Sequence, residues 1–389
     1  MAVTQIQFLP FHRASIDEQD IESVVRVLRS GWLTTGSEVR QFEGAFARYV
    51  GARNAVALSS CTAALHLALA AIGLQEGDEV ILPTMTFSST SEVVLYFKAR
   101  PILVDCQANS FQADPMAMER AITSRTRAII VVHFAGIPAD IETILDIARR
   151  HKLIVIEDAA HALPTRYKGK MIGTFGDITC FSFYATKTIT TGEGGMMTTE
   201  NAEVADRVRM LSMHGISKDA YKRYTAEGSW RYEILDVGYK YNMTDIQAAL
   251  GLAQLAKSDV LRAKRDRVAG VYTAALSSLD AYETPAVPVD VQHAWHLYVL
   301  KVNPDALAIS RDRVIEELKK RGIGTSVHFI PLHTHPYYQQ KLGYRTGQFP
   351  HAENHFEHAI SLPLFPGMTN DDTERVVEAL HDIAREHRA

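Results

Sequence analysis

The sequence predicts an α/β fold: a large domain with a mostly parallel sheet between helices, followed by a smaller C-terminal α+β domain. Three observations carry this prediction. Short apolar runs rich in Val and Ile recur through the first half of the chain. Most lack the in–out alternation of a half-solvated strand, so both their faces are buried. Helical stretches separate several of them, and alternating strands and helices pack as a parallel sheet covered on both sides.

The elements follow in order. "SIDEQDIESVVRVLRSG" reads as a helix with a capping box, Ser15 and Glu18, that stops at Gly31. "SEVRQFEGAFARYVG" sets Val39, Phe42, Phe46 and Val50 on one helical face and ends at Gly51. Apolar runs then lie at 54–60, 79–84, 101–106, 127–135, 153–160, 178–185 and 194–200, about seven strands of one sheet. "TAALHLALAAIG" and "IETILDIARRHK" are helices between them. From Thr244 one long amphipathic helix, "TDIQAALGLAQLAKSDVLRAKRDRVAGVYTAALSSL", leads away as a connector. Pro-rich "ETPAVPVD", a strand "HLYVLKV", a helix "RDRVIEELKKRG", a strand "GTSVHF" and a last helix "DDTERVVEALHDIAREH" make the smaller domain. The expected boundaries are 1–255 for the large domain and 256–389 for the small one. No internal repeat or low-complexity tract interrupts the chain.

Composition narrows the function classes. The chain has 389 residues, 47% apolar and 22% charged, the balance of a water-soluble globular protein with ample length for a large core. A net charge of -4 and no basic block argue against a nucleic-acid partner. Cys61, Cys106 and Cys180 are scattered, which fits a reducing compartment rather than disulfides or a zinc ribbon. The N-terminal residues lack the pattern of a secretion signal, and no apolar run approaches a membrane span. A cytoplasmic protein is expected.

Chemistry concentrates at the junctions that follow strands. "SSCTAALHLALAAIG" opens a buried helix, whose N–H groups need hydroxyl caps or a bound phosphate. In "LPTMTFSSTSEVV", Phe87 is either a core residue or a flat plate for a flat ligand. "LIVIEDAAHA" ends on Glu157 and Asp158, where open α/β sheets bind ligands. A desolvated Asp158 needs a cationic partner, from the protein or from a cofactor, and His161 follows three residues on. "FSFYATKTITTGEGG" wraps Lys187 in hydroxyls and glycines. It is either a solvated surface lysine or a desolvated, nucleophilic amine. Ser182 and the threonines suit phosphate oxygens, and Gly192, Gly194 and Gly195 permit close backbone approach. An anion cup, a flat plate, a buried carboxylate and an amine together match what pyridoxal phosphate requires.

The motifs "GWLTTGSEVRQFE", "SSCTAALHLAL", "PTMTFSST", "IEDAAHA", "FSFYATKTITTGEGGM" and "GYKYNMTDIQAAL" together resemble the DegT/DnrJ/EryC1/StrS family of nucleotide-sugar aminotransferases, over about residues 8–385. That resemblance implies the fold type I aminotransferase architecture, with a seven-stranded large domain and an obligate homodimer. It implies that Lys187 bonds pyridoxal 5'-phosphate, that Asp158 pairs with the ring nitrogen, that Phe87 stacks on the ring and that His161 lies beside it. Cys61, Thr62, Ala63 and Ser182 would form the phosphate cup, with Asn242 of a second subunit completing it. Thr35, His328 and Arg231 are the substrate-side candidates. Lys218, Lys222, Arg223 and Arg231 suit a nucleotide diphosphate, although a solvated loop explains them equally.

The resemblance also implies L-glutamate as amino donor and a nucleotide-linked keto-sugar as acceptor, a 4-keto-6-deoxyhexose before a 3-keto sugar. A pyridoxamine-phosphate sugar dehydratase and a non-catalytic regulatory relative are the alternatives. Relatives that dehydrate carry His where this chain has Lys187. The cluster of His333, His335, His351, His355 and His358 lacks evident acidic or cysteine partners, so no metal is expected.

Overall fold

The computed structural model describes residues 7–217 and 231–389. Its centre is a seven-stranded sheet. The strands are β1 (Asn54–Leu58), β2 (Glu79–Pro83), β3 (Arg100–Val104), β4 (Thr126–Val132), β5 (Ile154–Asp158), β8 (Ile178–Ser182) and β9 (Gly195–Thr199). The short β6 (Arg166–Tyr167) and β7 (Lys170–Met171) form a separate ribbon with β11 (Val291–Gln292). Spatial order in the main sheet is β1-β9-β8-β5-β4-β2-β3. Only β9 runs against the rest. Every predicted apolar run overlaps one of these strands.

Period-two packing explains why the runs carry no polar face. Val80 and Leu82 face the cluster built on α3 (Cys61–Ala71), while Ile81 between them faces the cluster that holds α6 (Ile141–His151). The Phe42 and Phe46 face of α2 (Ser37–Val50) meets Phe181 and Phe183 in a third cluster. A separate core gathers around the antiparallel sheet of β10 (Tyr282–Glu283), β12 (Tyr298–Val302) and β13 (Ala359–Leu362). It is enclosed by α9 (Ser258–Leu276), α10 (Arg311–Lys320) and α13 (Asn370–Glu386).

Three sequence expectations are corrected. The first helix, α1 (Glu18–Ser30), is capped by Asp17 with Asp20, not by Ser15 with Glu18. Lys257 Nζ reaches Asp17 at 2.6 Å and Asp20 at 2.5 Å, so a tertiary cation supports the acidic cap. That same lysine marks the second correction. The long helix expected from Thr244 is two helices, α8 (Asp245–Ala256) and α9, joined at Lys257 with φ -109°. The break lets α8 pack on α1 and α2 while α9 packs on α13. Third, "GTSVHF" is not a strand. It meets β13 through a single bridge, Ser326 with Ser361, before turning toward Thr84 at the end of β2.

Candidate active site

Four strand–loop junctions converge at the carboxyl ends of the parallel strands. At the first, Ser60 caps α3 by accepting the Ala63 N–H at 3.0 Å. The N–H of Ala63 is therefore taken. Those of Cys61 and Thr62, in the first turn of the helix, find no acceptor among the described residues. A Cβ on Gly195 of β9 would stand 2.6 Å from the Cys61 nitrogen, so only glycine lets this strand lie against the turn. Asn242 pairs with Leu58 beside it and donates its amide to Thr35 Oγ1 at 2.7 Å. Thr35 Oγ1 in turn donates to the Met243 carbonyl at 2.6 Å.

After β2, Phe87 is 59% exposed, which rules out a core role, and its ring lies 5.9 Å from that of Phe329. The two carboxylates that end β5 have opposite fates. Glu157 is closed off by His133 Nε2 at 2.8 Å, Thr179 Oγ1 at 2.7 Å and the Gly176 N–H at 2.7 Å. Asp158 accepts from Thr90 Oγ1 at 2.8 Å and the Ala160 N–H at 3.1 Å. No cationic nitrogen pairs with it within 4.0 Å among the described residues. Burial raises its pKa, opposed by these hydrogen bonds and by the charge of Lys187. The cation that Asp158 needs is not supplied by a neighbouring side chain.

His161 is buried, and its Nδ1 accepts the Ala135 N–H at 3.2 Å. The proton of the neutral ring is thereby directed to Nε2. Burial and Lys187 hold its pKa well below the usual histidine range. Its ring stacks on Phe329 at 5.7 Å.

Lys187 follows β8 in a turn closed by its own N–H to the Tyr184 carbonyl. Its Nζ makes no hydrogen bond or ion pair among the described residues. Burial lowers its pKa to about 8, with Cys61 and Asp158 pulling the other way. Three of the four surrounding threonines already donate their hydroxyls within the protein. Thr188 donates to the Leu163 carbonyl, Thr190 to Phe183 and Thr191 to Glu193. Ser182 accepts the Tyr184 N–H at 3.3 Å, and its own O–H has no acceptor among the described residues. His328 lies near Lys187, bonded to Ser361 Oγ at 2.8 Å, with a pKa lowered to about 4 by burial and then by that charge.

Arg231 is exposed, while Lys218, Lys222 and Arg223 lie outside the described residues. Three of the five histidines of the cluster are engaged within the protein, one of them by an acidic partner, Glu353, that the sequence did not make evident. His333 bonds Thr84 and Glu353, His355 bonds the Gln107 carbonyl and His358 the Asn354 carbonyl. Residues that the sequence reading did not single out also stand here: Thr90 on Asp158, Phe329 on His161, and His296 with its ring 4.3 Å from that of His161. Thr90 and Phe329 sit in quoted motifs, but only the packing reveals what they touch.

The sequence profile of the DegT/DnrJ/EryC1/StrS aminotransferase family matches residues 14–381. The chain belongs to that family. This aminotransferase is 49% identical over 379 residues to the spore coat polysaccharide biosynthesis protein SpsC of Bacillus subtilis, covering 97% of each chain. Among solved structures it is similar to Spr1654 of Streptococcus pneumoniae, named as a sugar aminotransferase, in its PLP form. The TM-score is 0.91 and the identity 33%, over 97% of this chain and 99% of that one. It also resembles Helicobacter pylori PseC, an aminotransferase in pseudoaminic acid biosynthesis, with TM-score 0.90 and 27% identity over 98% and 100% of the chains. As a family member, the enzyme depends on pyridoxal phosphate. The site suits that cofactor: an unpaired amine, a buried carboxylate without a cation, and two open N–H groups at a helix start.

Proposed function

We propose that this enzyme, a pyridoxal-phosphate-dependent sugar aminotransferase, moves an amino group from L-glutamate to a nucleotide-linked 4-keto-6-deoxyhexose. One observation carries the reading. The unpaired amine of Lys187 and the carboxylate of Asp158 follow or end neighbouring strands, β8 and β5, within electrostatic reach of each other. Pyridoxal phosphate, when bound, supplies an electron sink for the pair left behind as the donor's Cα proton departs.

The chain's own residues do the rest. Asp158 Oδ holds the proton on the ring nitrogen. Lys187 Nζ anchors the cofactor and, once displaced, carries the Cα proton away as general base. The Cys61 and Thr62 N–H groups and the Ser182 hydroxyl bind the phosphate. Phe87 covers one ring face, and His161 orients the ring from beside it. Asn242, reaching from a second copy, completes the phosphate cup and makes a homodimer the working unit. Thr35, His328 and Arg231 contact the substrate. Polysaccharide biosynthesis by SpsC and pseudoaminic acid biosynthesis by PseC support a sugar acceptor. By resemblance, "GYKYNMTD" and "VHF" favour amination at C4.

Purified enzyme mixed with glutamate and UDP-, GDP- or dTDP-linked keto-sugars tests this. Product mass should rise by exchange of oxygen for amine, with 4-keto substrates only. Turnover of 3-keto sugars alone rejects the C4 assignment, and deoxygenation without glutamate consumption reinstates a dehydratase. Lys187→Ala should lower turnover by about 10²–10⁴-fold or more. It should also abolish the absorbance band that borohydride bleaches in the parent enzyme.

A further inference from the structure

Thr90 lies in the short helix α4 (Ser89–Leu95), four residues after Thr86, and both side chains are buried. Thr90 Oγ1 donates to Asp158 Oδ2 at 2.8 Å, and Thr86 Oγ1 lies 2.8 Å from Thr90 Oγ1. A threonine hydroxyl has one proton to give. That of Thr90 goes to the carboxylate, so Thr86 is the donor in the second bond. Thr86 Oγ1 has no other hydrogen-bond partner among the described residues. The chain of bonds therefore has a direction, from Thr86 to Thr90 to Asp158. Were Asp158 protonated and donating at Oδ2, both hydroxyls would turn round. The buried Thr86 proton would then have no acceptor, which is unfavourable. At Oδ1 the Ala160 N–H at 3.1 Å and the Cys61 thiol at 4.0 Å are also donors. Every hydrogen-bond partner of this carboxylate among the described residues thus favours its ionised form.

Burial drives a proton onto Asp158, and the Thr90 bond is the largest influence against it. Lys187 and His133 also act on Asp158 through charge, and the thiols of Cys61 and Cys180 lie near it. The same turn carries Phe87: the Thr90 N–H closes it on the Phe87 carbonyl at 3.2 Å. One local fold thereby sets both the exposed ring of Phe87 and the hydroxyl on the acid. A carboxylate has about four acceptor positions. Thr90 and Ala160 take one on each oxygen, which leaves room for an incoming N–H. We propose that Thr86 and Thr90 are positioning residues for the aminotransferase reaction, a one-way hydroxyl relay that keeps Asp158 deprotonated and fixes the direction of its free lone pairs. The proposal rests on the reading of Asp158 as the partner of the cofactor's ring nitrogen.

Infrared difference spectroscopy of the full-length apoenzyme tests it, with Asp158→Asn assigning the carboxyl band of that residue. The band of the protonated acid should grow as pH falls through a midpoint. In Thr90→Val that midpoint should rise by about one to two pH units, the equivalent of a lost hydrogen bond to a charged group. Thr86→Val should move it the same way by a smaller step, since it weakens the Thr90 bond without removing it. Thr90→Ser keeps the hydroxyl and should restore most of the shift. The dissociation constant for pyridoxal phosphate should rise about tenfold or more in Thr90→Val and recover in Thr90→Ser. A Thr90→Val midpoint equal to the parent's overturns the proposal, as does a shift that Thr90→Ser fails to reverse. An unchanged midpoint in Thr86→Val overturns the relay. If Thr90→Val does not fold, Thr90→Ala is read in its place. A parent enzyme that takes up no pyridoxal phosphate contradicts the proposed function instead, and the infrared midpoints then decide the relay by themselves.

Discussion

The reactivity proposed for Lys187 comes from lost water and from the lack of a partner. A pKa of about 8 leaves about a tenth of the amine neutral at pH 7, against well under a thousandth for an ordinary lysine. The rate at which apoenzyme takes up pyridoxal phosphate covalently should therefore climb with pH and level off above about pH 8. Stopped-flow absorbance across pH 6–10 checks this, and a rate still climbing toward pH 10 contradicts it. The residues of the candidate site stood out in the sequence because each departs from its local pattern: acids ending an oily strand, a lysine among hydroxyls. Their partners were not. Nothing in "IEDAAHA" tells that His133 closes off Glu157 while Asp158 keeps no cation. That difference comes from which side of the sheet each carboxylate faces.

At the scale of elements, the start of α3 and the edge of β9 form one unit. Gly195→Ala pushes a methyl group into the Ser60–Cys61 turn, and overpacking of this kind costs about 1–3 kcal/mol. We expect a lower melting temperature for the apoenzyme and weaker cofactor retention on dialysis, with far-UV circular dichroism unchanged. A variant with parent-like stability and retention would show that the turn can yield. Strands and most helices were readable here, since a doubly buried strand leaves an unbroken apolar run. The break at Lys257 was not readable. Both halves carry helical periodicity, and the interruption follows from α8 and α9 packing on different partners. The "GTSVHF" strand failed for a related reason: strand-like composition does not guarantee a neighbour along its whole length.

At the scale of the whole molecule, buried histidines make stability depend on pH. Burial lowers His293 to about 3 and His328 to about 4, both below the unfolded value of 6.5. The unfolded chain then binds more protons at mildly acid pH. Stability is full above pH 6.5 and declines as pH falls toward 4, each of these histidines adding up to about 1.4 kcal/mol per pH unit. Urea denaturation at pH 7 and pH 5 should show a clear drop at the lower pH. A flat profile would mean that these rings are hydrated. The proposed dimer has its own test. Mixing inactive Lys187→Ala and Asn242→Ala subunits should restore about a quarter of the parent's sites if Asn242 acts across a twofold interface. No recovery after subunit exchange means that it acts within its own chain.

The sequence by itself determined the α/β class, the seven strands and the residue types that gather at their ends, because burial and local geometry are written residue by residue. Only the tertiary structure decided which carboxylate keeps no cation, which helix N–H groups remain open and where the long helix breaks. Those outcomes depend on contacts between segments far apart in the chain, and no local pattern records what a side chain will meet across the fold.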